Sequence, residues 1–156
     1  MGEENAELIR RFYEALDARD GETIAACYAP DARFTDPVFL DLEGREVGAM
    51  WRMLCERSDD LSVDLVEHGA KGEDGWARWI AKYTFTQTGR PVTNDVRAAM
   101  RFRDGLIAEH RDSFNLHSWT RQALGTPGLL LGWSPLVRRP VRRRARESLD
   151  EFLANG

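Results

Sequence analysis

Cysteine and histidine are scarce in this chain: two cysteines, Cys27 and Cys55, and three histidines among 156 residues. No Cys-x-x-Cys or Cys/His pair has metal-ligand spacing, so neither a disulfide framework nor a bound metal or other cofactor is expected. Both thiols sit in apolar helical patterns and read as buried, in a reducing compartment. No apolar run is long enough to cross a bilayer. The opening Met1-Gly2-Glu3-Glu4-Asn5-Ala6 is acidic and polar, unlike a secretory leader, and Ala6 does not fit a myristoylation signal. A cytoplasmic protein with no membrane partner is the expectation. Glycine- or proline-rich tracts, low complexity and repeats are also missing, so the length fits one domain with a real core.

Net charge is small, -4, and points to no nucleic-acid partner. Positive charge is concentrated, however, in Arg138, Arg139, Arg142, Arg143, Arg144 and Arg146. No aromatics interleave with these arginines to stack on bases. Glu147, Asp150 and Glu151 lie one or two helical turns away. The run therefore reads as a solvated helix face, or as the counterpart of an acidic surface on a second subunit.

Hydrophobic spacing orders the rest. Leu8, Ile9, Phe12, Tyr13 and Leu16 predict a helix over 4–19. Asp20 can cap a short second helix through Ile24 and Tyr28, with Pro30 ending it. A strand near 32–36 leads into Asp36-Pro37, and a third helix near 46–57 turns Val47, Met50, Trp51, Leu54 and Cys55 inward. The period then becomes two. Leu61, Val63 and Leu65 alternate with polar residues, as do Trp79, Ala81, Tyr83 and Phe85, then Val92, Val96, Ala98, Met100 and Phe102. Asp104-Gly105 is a hairpin signal, and the last strand is expected over 106–116. These strands read as a four-stranded antiparallel meander whose apolar face packs on the helices. A short helix around Trp119, Ala123 and Leu124 should end at Gly125. Thr126-Pro127 and Ser134-Pro135 look like cap-plus-first-turn pairs around the apolar Gly128–Trp133 stretch. A last helix is expected from Pro140, with Val141, Ala145, Leu149, Phe152 and Leu153 on one side.

Asp36 carries the strongest hint of chemistry. A carboxylate among Phe34, Pro37 and Val38 tends toward a raised pKa, which suits proton transfer near neutrality, although Asp-Pro also marks turns. On the last strand, Ala108, His110, Asp112, Phe114 and Leu116 share one face by parity, so His110 and Asp112 should enter the interior together. Asn94 shares the apolar face of the preceding strand. Tyr13, Trp79, Tyr83 and Phe114 could wall a pocket for a flat apolar ligand.

Phe12-Tyr13-Glu14-Ala15-Leu16-Asp17 and Tyr28-Ala29-Pro30-Asp31-Ala32-Arg33-Phe34-Thr35-Asp36-Pro37 resemble motifs of SnoaL-like and ketosteroid-isomerase-like proteins of the NTF2-like superfamily. Ile107-Ala108-Glu109-His110-Arg111-Asp112-Ser113-Phe114 resembles their last core strand. The resemblance implies an α+β cone, with three helices packed in a curved antiparallel sheet over residues 1–118 and a C-terminal helical extension over 119–156. That extension would lid the cavity or cover a second subunit, and a homodimer through the outer sheet face is implied. By resemblance to ketosteroid isomerases, Asp36 takes the general-base position, while their oxyanion-hole Tyr and protonated Asp fall on Phe12 and Ala98. Resemblance to SnoaL-like cyclases points instead to Asp112 as the acid/base. Epoxide hydrolases of this fold need an Arg-x-Asp pair with its Asp inward, which neither candidate strand offers.

The chemical expectation is a cofactor-independent isomerase or polyketide-cyclase-like enzyme acting on a small apolar carbonyl compound. Asp36, Asp112 and His110 would be catalytic, and Tyr13, Asn94, Trp79, Tyr83 and Phe114 would hold substrate. The alternative is a non-catalytic ligand-binding or dimerisation module; an epoxide hydrolase-like activity is third.

Overall fold

A computed structural model describes residues 2–125 and 135–155. Helix α1 (Gly2–Asp17) buries Leu8, Ile9, Phe12, Tyr13 and Leu16 along one stripe, with Glu3 and Glu4 in the first turn, where the helix dipole favours acid. Asp20 caps α2 (Gly21–Ala26), accepting the Thr23 backbone N–H at 3.1 Å. Gly21 is required by close packing: a Cβ there would lie 2.9 Å from the Cα of Arg52 on α3 (Arg45–Arg57).

The sheet is six-stranded, in the order β2-β1-β6-β5-β4-β3. Its strands are β1 (Tyr28–Thr35), β2 (Leu42–Glu43), β3 (Ser62–Lys71), β4 (Asp74–Phe85), β5 (Arg90–Arg103) and β6 (Leu106–Ser113). The meander β3 to β6 is antiparallel, as its period-two patterns predict. Asp104 and Gly105, at φ 54° and 78°, form the two-residue connection between β5 and β6, with the left-handed backbone that a type I′ hairpin turn requires.

Three expectations need correction. Tyr28 and Pro30 do not close the second helix; they lie in β1, which pairs in parallel with β6. Proline is tolerated there because the ladder breaks register between Tyr28 and Arg33, where a missing N–H costs little. The second concerns β6, which stops at Ser113 rather than running to 116. Asn115 accepts the Ser118 N–H at 3.0 Å and starts α4 (Leu116–Leu124), which carries Leu116. Strand parity also slips once. Phe102 pairs with Ile107 and Arg101 with Glu109, so Ala108 is the extra residue of a bulge and Ile107 turns inward. From His110 onward the expected parity holds. The third correction is the last helix, α5, which spans Pro135–Asn155 and so begins ahead of Pro140. Pro135 takes the first helical position, where a missing N–H is harmless. Thr126-Pro127, Ser134 and the Gly128–Trp133 stretch lie outside the described residues. Among the described residues no helix is long and apolar enough to cross a membrane.

The core fills the concave side of the sheet. Phe12 is its hub, with no exposed surface and edge-on contacts to the rings of Tyr13, Tyr28, Trp51 and His110. Phe12→Ala is expected to cost about 3–5 kcal/mol, read as a lower midpoint in urea denaturation. On α5, Leu149 is fully buried in the same core, and Ala145, Phe152 and Leu153 pack around it.

Candidate active site

Bending of the sheet around α1 and α3 leaves a cavity of about 620 Å³, closed on one side by α4 and α5. Six of the eight residues singled out in the sequence line it: Asp36, Asp112, Asn94, Trp79, Tyr83 and Phe114. Tyr13 and His110 stand behind the wall. Tyr13 is buried against Phe12 and Trp79 and is held there by packing. His110 is buried beneath Asp112.

Asp36 follows the end of β1. Its Oδ1 accepts the N–H groups of Val38 at 2.7 Å and Phe39 at 2.6 Å, a local turn that fixes the carboxyl's direction. Oδ2 takes no hydrogen bond among the described residues. Burial pushes the Asp36 carboxyl up to about 7, opposed by the Phe39 N–H, reinforced by the negative charge of Asp112, and opposed again by the Val38 N–H and His110. The turn and the raised pKa coexist: two backbone donors orient the group without offsetting its desolvation.

Asp112 reaches the cavity from β6 opposite Ala98 on β5. Its Oδ1 lies 2.8 Å from His110 Nε2. On the far side of the ring, His110 Nδ1 lies 2.7 Å from the Tyr28 hydroxyl, and Trp51 Nε1 donates to that hydroxyl at 2.8 Å. One assignment satisfies every group. Trp51 N–H donates to the Tyr28 oxygen, Tyr28 O–H donates to Nδ1, and Nε2–H donates to Asp112. The chain runs from α3 through β1 to β6 and ends on the Asp112 carboxylate in the cavity lining. Burial holds the Tyr28 phenol well above its ordinary range, with the Asp112 charge adding to it, so its proton stays in place.

A second aromatic pair stands near Asp36. Trp119 Nε1 donates to the Tyr83 hydroxyl at 2.6 Å, which leaves the Tyr83 proton free to donate onward. Burial raises the Tyr83 phenol, and the Asp36 charge raises it further. Tyr28 and Trp119 are polar partners of the candidate residues that sequence reasoning assigned elsewhere. Pro30 disguised Tyr28 as a helix end, although Tyr28, Ala32 and Phe34 are all buried along β1. Among the described residues no group of three or more His, Cys, Asp or Glu side chains is placed to hold a metal ion.

The SnoaL-like domain profile matches residues 9–110, most of the chain and nearly all of this helix-and-sheet unit. The chain belongs to the SnoaL-like domain family. Solved structures agree on the architecture. An LEH-like epoxide hydrolase from M. tuberculosis is 23% identical with a TM-score of 0.67, over 87% of this chain and 96% of that one. An NTF2-like protein of unknown function from Burkholderia pseudomallei is 25% identical, with a TM-score of 0.68, over 76% and 96%. IdmH from Streptomyces antibioticus, a candidate polyketide cyclase, is 23% identical, with a TM-score of 0.65, over 78% and 99%. No functionally curated protein matches the chain. The fold of this SnoaL-like domain is thus the NTF2-like α+β cone, and its neighbours span several activities.

Proposed function

We propose that this SnoaL-like domain is a cofactor-independent acid/base enzyme acting on a small apolar carbonyl compound. The observation that carries this reading is the Asp36 carboxyl, desolvated at the wall of a largely apolar cavity with a pKa near 7. A general base works best when its pKa lies near the operating pH. Ionised Asp36 removes a proton from the carbon next to the carbonyl. The developing enolate oxygen accepts a hydrogen bond from Tyr83, whose own oxygen is held by Trp119. Neutral Asp36 then returns the proton to another carbon, giving an isomer. In the cyclase variant the enolate carbon attacks a second carbonyl of the same molecule, and the new alkoxide takes the proton. Asp112, oriented by His110, contributes to the raised pKa and so to the basicity of Asp36. Asn94 serves as an anchor for a substrate carbonyl.

The second reading is a binding module that holds such a molecule without turnover. Phe12 and Ala98, at the positions where resemblance to the ketosteroid isomerases expects oxyanion donors, favour it. Epoxide hydrolysis ranks third: on β5 next to Asp112, Arg97 and Asp95 are exposed, and Asp95 pairs with Arg78 at 2.8 Å. In either of the first two readings α4 and α5 are an extension of the same domain that closes the cavity. A homodimer through the outer sheet face fits the exposed Trp76 on β4 and Val66 on β3.

The test is deuterium exchange at the α-carbon of a panel of apolar cyclic ketones, followed by proton NMR. Catalysed exchange should rise with pH through a midpoint near 7, as Asp36 ionises. Ligand binding without exchange for every ketone would move the assignment to the binding module.

A further inference from the structure

Four arginines of the run on α5 are divided by the fold into two groups. Arg142 and Arg146 are struts: Arg142 Nε donates to the Pro37 carbonyl at 2.9 Å, and Arg146 pairs with Glu46 on α3 and with Asp150 at 3.1 Å. Arg142 fastens α5 to the turn that follows Asp36, and Arg146 fastens it to α3. Arg143 and Arg144 instead line the cavity, together with Arg57 from the end of α3. Their tethers are loose. Arg143 approaches Glu147 at 3.9 Å with its side chain 72% exposed, and Arg144 reaches Gln87 at 3.3 Å. Arg57 makes no hydrogen bond or ion pair among the described residues. The two acids of the lining are instead withdrawn from solvent: Asp112 is buried, and the Asp36 carboxyl is desolvated.

We propose that the cavity selects an apolar molecule bearing a carboxylate, whose anionic group is held at the mouth by Arg57, Arg143 and Arg144. This rests on reading the cavity as a ligand site, and it names the substrate class. Guanidinium groups pair with carboxylates through two parallel hydrogen bonds, and cationic residues around a low-dielectric cleft concentrate anions at its entrance. The apolar part of the lining takes the hydrocarbon body. Negative charge on the withdrawn acids repels the carboxylate and the exposed arginines attract it, so the neutral carbonyl end is the one presented to Asp36. One polarity gradient thereby sets both affinity and orientation.

Isothermal titration at pH 7.5 with 2-naphthylacetate and its neutral isostere 2-naphthylacetamide tests this. The carboxylate should bind on the order of tenfold tighter, with the preference shrinking at high salt because the arginines are exposed. The triple variant Arg57→Gln, Arg143→Gln, Arg144→Gln should bind both probes alike. Arg97→Gln, a charge change on the outer sheet face, should keep the preference. Equal affinities in the unmodified protein, or a preference that survives the triple variant, would overturn the proposal. Asp36→Asn separates it from the catalytic reading. That variant should retain the carboxylate preference, so failure of ketone exchange and failure of anion selection are independent results.

Discussion

Asp36→Asn should lower ketone exchange on the order of 10²–10⁴-fold, the range typical of losing a positioned general base. The substitution keeps an oxygen to accept the Val38 and Phe39 N–H groups, so the turn survives and only the titrating group is lost. A linked effect on stability accompanies it. In the unfolded chain the Asp36 carboxyl ionises near 3.8, and in the folded protein near 7. Between those values the folded state binds the proton that the unfolded state has released. Stability contributed by the protonated carboxyl is therefore greatest below about pH 4, declines as pH rises toward 7, and changes no further above it. The full difference corresponds to at most about 4 kcal/mol. Urea denaturation from pH 4 to 8, comparing the unmodified protein with Asp36→Asn, isolates this slope from those of other carboxyls. Parallel stability profiles would mean that Asp36 titrates as an ordinary surface acid, and the general-base assignment would fall.

His110→Leu should destabilise the fold by about 3–5 kcal/mol, because it strips a buried carboxylate of its only charged or hydrogen-bonding partner among the described residues. It also leaves the Tyr28 hydroxyl without its acceptor. The double variant His110→Leu, Asp112→Leu should recover a large part of that loss, since no lone charge is then buried. Denaturation midpoints of the two single variants and the double variant form a thermodynamic cycle, and a coupling of roughly 1–3 kcal/mol is expected. Additive losses would show that His110 and Asp112 do not act as a unit, and the orienting role of His110 would go with them.

Much of the fold was legible because burial periodicity differs between helix and strand. The meander from β3 to β6, the α1 stripe and the Asp104-Gly105 hairpin all announce themselves over a few residues. Boundaries failed where a local signal met a tertiary demand. Pro30 looks like a helix stop, yet the free register beside β6 admits it into a strand. The Ala108 bulge is invisible to parity counting because pairing with Phe102 and Arg101, far away in sequence, creates it. Asp36 could be singled out because its neighbours are apolar, and Asp112 and His110 because two polar side chains share an otherwise apolar face. The Tyr28 and Trp51 partners could not be, since 82 and 23 residues separate the bonded groups.

From the sequence alone follow the class of fold, the inward carboxylates and the arginine run near the C-terminus. Periodicity and local composition are short-range properties, and these features need nothing more. Tertiary structure decided the rest: that Asp36 sits in a desolvated wall, that Asp112 ends a four-residue hydrogen-bond chain, and that only some of the arginines meet the cavity. Desolvation and hydrogen-bond partnership depend on which distant segments pack together, and the energy of a buried charge is set by those neighbours rather than by its own stretch of chain.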